Sequence, residues 1–146
     1  MTRINHPIPP DRLCDQHLLA EYYEMVRCST SARKYQMQGK EPNDCLALTH
    51  RLNTGHVRFW TARGGTLAKR FKAIKQELHR RGIRCRNWWR VHPAPYRHEW
   101  VPDATEHQQA VDVMTERITQ RMPDKPRFGK KEVTKKEAIK RLIHGV

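Results

Sequence analysis

Two groups near the front of the chain have the chemistry of a reactive pair. Thr2 is small, so removal of Met1 is expected to leave the Thr2 α-amino group at the head of the chain. An α-amino group has a reference pKa of ~7.7–8.0 against ~10.4 for lysine, so at neutral pH roughly 10–20% of it is free amine. The neighbouring cation of Arg3 disfavours its protonated form further. Such an amine is a usable nucleophile toward an electrophilic sugar carbon without deep burial. Nearly every protein has an α-amine, so the group identifies nothing alone. Glu24 adds a carboxylate on the helix expected to follow. At ~100° per residue, Cys14, Leu18, Leu19, Tyr22, Met25 and Val26 share one arc, and Gln16, His17, Tyr23, Glu24 and Arg27 share the opposite one. This places Glu21 on the flank and turns Glu24 away from the core.

The charge balance points to a partner. The chain has 146 residues with 29 Lys+Arg against 15 Asp+Glu, a formal charge of +14 and a pI near 10.2. Basic surface gains affinity for polyanions by releasing phosphate counterions, so nucleic acid is the leading partner class. Residues 63–90 hold ten of the Lys/Arg and one acid, with Trp88 and Trp89 near the end of the stretch. They read either as a phosphate-contacting face or as a solvated helix face beside two core tryptophans. A base stacked on Trp88 or Trp89 is the less favoured use of those rings. Nine histidines and four cysteines could ligate metal, and Cys85, His92 and His98 are near neighbours. Their spacing matches no structural zinc pattern, so no metal is expected.

The elements that must position these groups follow from periodicity and breakers. Pro7, Pro9 and Pro10 predict an extended arm over 3–10, with Asp11 as a helix N-cap. The arc above predicts a helix from Arg12 to about Cys28, with a separate short piece over 32–38 ended by Gly39. A second long helix is predicted over 66–81, with the stripe Leu67, Phe71, Ile74 and Leu78 and a stop at Gly82. His56–Trp60 is the one candidate strand, and 87–102 reads as an ordered loop. Asp103 with Glu106 forms a capping-box signature for a third helix reaching about Arg121. The tail 124–146 carries eight Lys/Arg against three acids and could form a short amphipathic helix through Ala138, Ile139, Leu142 and Ile143. No stretch approaches the ~18 apolar residues of a membrane span, and the start lacks the apolar core of a signal peptide. The four cysteines are therefore expected as reduced thiols in an unexported chain.

Met1-Thr2-Arg3-Ile4-Asn5, Asp15-Gln16-His17-Leu18, Ala20-Glu21-Tyr22, Glu24 and Arg27 together closely resemble the phage pyrimidine-dimer DNA glycosylases, the endonuclease V family. Arg33-Lys34, Gly39-Lys40, Gly55-His56-Val57, Phe59, Leu67, Lys69-Arg70, Arg81-Gly82, Pro102 and Gln120-Arg121 extend the match. The resemblance implies an all-α fold: a single compact domain of three main helices with an extended N-terminal arm. It implies a catalytic domain over 1–122, leaving 123–146 as a lysine-rich extension. The implied activity is excision of UV-induced pyrimidine dimers from duplex DNA, with abasic-site lyase chemistry. Thr2 would attack the sugar C1′ through its amine and form an imine, and Glu24 would be the essential carboxylate. Arg3, Gln16, His17, Tyr23, Arg27, Arg33, Lys34, Arg117 and Arg121 would line the site or hold DNA. No metal or organic cofactor is implied. The expected partner is damaged double-stranded DNA and no membrane. A monomer is expected, in the cytoplasm beside the nucleoid or in a host cell's cytoplasm if the source is viral.

Three departures bear on specificity. Tyr23 and Val113 each stand where the family has an arginine, and the family's aromatic C-terminal tail is replaced by the basic extension. The alternatives kept open are a same-mechanism glycosylase aimed at another damaged or modified base, and a non-catalytic basic DNA-binding protein.

Overall fold

The computed structural model describes residues 4–50, 55–85 and 89–145. Thr2, Arg3 and Trp88 lie outside them. Three helices dominate: α1 (Asp15–Met37), α4 (Gly64–Arg80) and α5 (Ala104–Glu116). Two short helices, α2 (Asn43–Leu46) and α3 (His56–Thr61), connect α1 to α4, and α6 (Lys135–His144) closes the chain. The sheet content of the described residues is one hairpin, β1 (Arg127–Phe128) and β2 (Lys131–Glu132), plus an isolated bridge between Arg63 and Arg97. The fold is all-α with three main helices, as the sequence predicts.

The local differences have identifiable causes. The two helical pieces expected over 12–28 and 32–38 are one 23-residue helix, α1, because nothing between Cys28 and Ala32 interrupts the turn. It ends where Gly39 takes a φ of +69°, a conformation that costs glycine little. Asp11 does not cap α1: it sits inside a short 3-10 turn, Pro10–Arg12, and the α1 N-cap is Cys14. His56–Trp60 is helical, not a strand; its β-branched and aromatic residues are consistent with either, and tertiary packing decides. The capping box forms as expected, with the Glu106 amide donating to Asp103 at 2.8 Å and the Asp103 amide donating to Glu106 at 3.1 Å. Beyond Glu116, α5 widens into a π-helical turn, Arg117–Arg121. The tail does form its amphipathic helix, with Ala138 and Leu142 buried.

The core lies between α1, α3 and α4. Leu18, Tyr22 and Met25 meet Phe59 and Trp60 and the α4 stripe of Leu67, Ile74 and Leu78, while Ala110, Met114 and Ile118 close one side. The arm is part of this core, with Ile4 and Ile8 fully buried, but it is not extended throughout: the Ile8 amide donates to the Asn5 carbonyl at 2.8 Å and closes a turn over His6 and Pro7. What holds the arm is polar. The Arg70 Nε donates to Glu21 Oε2 at 2.6 Å and its Nη2 to Glu21 Oε1 at 3.0 Å, and both side chains are essentially excluded from solvent. The remaining guanidinium hydrogens reach arm carbonyls, at 2.6 Å to Ile8 and 3.2 Å to Asn5. The Asn5 amide completes the set by donating to Glu21 Oε1 at 3.0 Å.

Burial narrows the reading of residues 63–90 as a phosphate face by removing three of its cations. Arg63 donates to the carbonyls of Phe59 at 2.6 Å and Cys45 at 3.2 Å, and lies over the Phe59 ring at 3.6 Å. Arg81 pairs with Asp15 and Glu77, both at 2.9 Å. With Arg70, three of these cations are scaffold, and Lys69 and Arg80 are paired with Glu99 and Glu77. The four cysteines are free thiols, with Cys14, Cys28 and Cys45 buried.

Removing one partner of a buried ion pair strands the other charge, typically at ~3–5 kcal/mol. Arg70→Leu is therefore expected to lose about that much in urea unfolding at pH 7, since Glu21 is left buried with only the Asn5 amide. A loss below ~1 kcal/mol would show that Arg70 does not anchor the arm.

Candidate functional site

One edge of α1 carries most of the predicted site residues. Gln16, His17, Tyr23, Glu24, Arg27 and Lys34 recur at helical spacings, and His17 and Glu24, seven residues apart, lie on one face about 10 Å apart along the axis. Glu24 is not solvent-facing as the arc suggested. Its side chain is only 3% exposed. Arg27, one turn on and 68% exposed, places Nη1 3.3 Å from Glu24 Oε1. The result is a shielded carboxylate whose guanidinium partner remains open to an incoming anion.

The arm arrives beside this helix. The Ile4 amide donates to His56 Nε2 at 2.8 Å, and the Asn5 amide bonds Glu21, one turn before Glu24. His56 therefore acts on the arm as a hydrogen-bond acceptor, a role that sequence spacing did not reveal.

A cavity of about 210 Å³ opens at the start of α1, lined by Gln16, His17, Arg117 and Arg121 together with Met122, Pro123 and Asp124. Four predicted site residues from distant parts of the chain thus meet, because the π-helical turn carries Arg117 and Arg121 to the first turn of α1. Arg117 Nη2 and His17 Nδ1 are buried there without a hydrogen-bond partner among the described residues. Burial, reinforced by the Arg117 cation, holds the His17 pKa down at about 4, so the imidazole is neutral at pH 7. Burial and then Arg121 lower the Arg117 pKa from its usual value. A neutral imidazole and crowded guanidinium groups make a pocket suited to an anionic oxygen.

The other predicted residues occupy different surfaces. Arg27 and Lys34 border a second cavity of about 500 Å³ with Tyr35 and Lys40. Arg33 turns away from it, donates to the Ser29 carbonyl at 3.2 Å, and lies in a third cavity with Arg90 and Arg97. Tyr23 is 59% exposed, with its ring edge-on to Tyr22 at 5.4 Å. Tyr22 stacks on Phe71, and Phe71 on Trp89, so the exposed ring ends an aromatic ladder. Among the described residues no cluster of three or more metal-ligating side chains occurs. No described helix is long and apolar enough to cross a membrane.

A family model described as pyrimidine dimer DNA glycosylase matches residues 1–91. The matched span contains the arm, the Glu21–Arg70 pair, Glu24 and the α1 edge. It does not reach Arg117, Arg121 or the tail.

His6, His17, His50 and His92 each have a pKa lowered to about 4, in every case chiefly by burial. Unfolding restores them to ~6.5, so between these values the unfolded chain binds more protons and stability rises with pH. Folding free energy is therefore expected to be fully retained above about pH 6.5 and to fall steeply as pH drops toward 4. Urea unfolding across pH 4–7 checks this, and a flat profile would contradict neutral, buried imidazoles.

Proposed function

Because the chain belongs to the pyrimidine dimer DNA glycosylase family, we propose that it excises a damaged pyrimidine from duplex DNA through its own terminal amine and then nicks the strand. The observation that carries this reading is the clamp on the arm. Asn5 is bonded to Glu21, one helical turn from Glu24, and Ile4 is buried against the same helix bundle. Position 2 lies three residues from Asn5, a span of at most ~11 Å, so a nucleophile there is leashed within reach of that carboxylate.

With Met1 removed, the Thr2 nitrogen bonds to C1′ as the glycosidic C–N bond breaks, and the base leaves with the electron pair and takes up a proton. The nitrogen loses a proton, the ring C1′–O4′ bond opens, and O4′ is protonated, giving an imine. Loss of a C2′ proton then expels the 3′-phosphate by β-elimination. Glu24 supplies negative charge beside the cationic sugar and moves the protons, typically a ~10²–10⁴-fold effect for a positioned acid–base group. Its shielding from water strengthens both roles. Arg27 and the pocket of His17, Arg117 and Arg121 receive phosphates, and Arg3 adds a cation at the head of the arm. Arg33 and Lys34 hold the backbone from two different cavities. No metal or organic cofactor enters the scheme.

A second reading concerns the lesion. Tyr23, exposed and backed by Tyr22, offers a ring face where the resemblance places an arginine, so stacking on a base replaces a phosphate contact. That favours a shift toward a different damaged base with the same chemistry.

Borohydride reduction of the reaction on a dimer-containing duplex is expected to leave a covalent protein–DNA adduct, and an N-terminally acetylated protein none. Glu24→Gln is expected to lose at least ~10²-fold in excision while binding the duplex within a few-fold of the parent. Full excision by either altered protein would overturn the mechanism, and binding without any adduct in the parent would leave a non-catalytic binder. Tyr23→Arg should raise the dimer rate relative to other lesions; an unchanged ratio removes the stacking role.

A further inference from the structure

The segment beyond the matched family region is fastened to the front of α1 by an arrangement that the proposed chemistry does not use. The β1–β2 turn is made by Gly129 and Lys130, with φ of 58° and 71°. A lysine rarely adopts that conformation, and a two-residue hairpin turn of this hand demands it. It is held by Asp15, whose carboxylate accepts the Gly129 amide at 2.9 Å and the Lys130 amide at 2.7 Å while also pairing with Arg81. Gln16 completes the clasp: its Nε2 donates to the Lys125 carbonyl at 2.8 Å and its Oε1 accepts the Arg127 amide at 3.0 Å. Both ends of the Gln16 amide are therefore engaged with tail backbone. Phe128 is set between Arg141, 4.6 Å from its ring centre, and Arg81, at 5.2 Å.

The charges of this fastened segment are arranged outward. Lys125, Lys130, Lys131, Lys136 and Lys140 are exposed, and none of their ammonium groups makes an ion pair or hydrogen bond among the described residues. Lys136 and Lys140 stand one turn apart on the α6 face opposite the buried Ala138 and Leu142, a like-charge spacing that disfavours an isolated helix. Glu137 is turned to Arg141 instead of relieving them. The segment also begins at the pocket of His17 and Arg117, which Pro123 and Asp124 help to line.

From this we infer that the hairpin and α6 form an accessory surface for the phosphate backbone of duplex DNA flanking the site, held in register with it by Asp15 and Gln16. The inference rests on the DNA-repair reading above. On this assignment Gln16 is a positioning residue that carries the basic segment, and lysines supply phosphate contacts without base readout.

The test compares the full-length parent with a variant in which Lys125, Lys130, Lys131, Lys136 and Lys140 are all replaced by Gln, using an undamaged duplex. Each phosphate contact contributes ~0.9 to the slope of log affinity against log salt, so the variant's slope is expected to be smaller by about 2 or more. Its single-turnover excision at saturating protein and low salt should stay within about twofold of the parent, since lost phosphate contacts weaken binding alone. An unchanged slope overturns the proposal, and so does a loss of saturated excision, which would put these lysines in the reaction itself. Glu24→Gln measured alongside separates the two readings: its slope should match the parent's, and excision by it would sink the active-site reading while the slope result stands.

Discussion

The buried pair of Glu21 and Arg70 is the interaction on which the rest depends. A carboxylate and a guanidinium removed from water are costly, and such a pair is tolerable only when its remaining hydrogen-bonding capacity is met. Here the capacity is met almost entirely by the arm, through the Asn5 amide and the carbonyls of Asn5 and Ile8. The arm contributes no helix of its own and carries three prolines, so it could not bury its backbone groups without such partners. The pair thus does three things together. It joins α1 to α4, it satisfies a non-helical segment inside the core, and it fixes Asn5 of that segment one helical turn from Glu24.

The same economy explains how a chain of charge +14 folds. Its most buried cations are each given an acid or several carbonyls: Arg70 has Glu21, Arg81 has Asp15 and Glu77, and Arg63 has the carbonyls of Phe59 and Cys45. Several of the few acids are consumed inside, which leaves the outer surface strongly positive. Around the α1 edge the positive groups border cavities, and at the tail Lys131 and Arg141 line another with Phe128.

Much of this was legible in the sequence, and the failures have physical causes. The α4 stripe, the Asp103–Glu106 box and the apolar face of α6 were readable because each is a local pattern with one period. The exposure of Glu24 was misread because α1 is buried on more than one side. A helix that sinks Glu21 and Glu24 along with Leu18 and Met25 has no single polar face to find. The Glu21–Arg70 contact spans 49 residues, and nothing local in either segment announces it. The basic run over 63–90 looked uniform because composition does not tell a scaffold arginine from a phosphate-binding one. The meeting of Gln16 and His17 with Arg117 and Arg121 came from the resemblance alone, and the π-helical turn that brings them together has no signal in the residues.

In the proposed chemistry the clamped arm delivers a backbone amine to deoxyribose beside Glu24. The most direct measurement is mass-spectrometric mapping of the borohydride-reduced adduct after proteolysis. The sugar remnant is expected on the N-terminal peptide, at the Thr2 nitrogen. A remnant on the side chain of any lysine would contradict that chemistry.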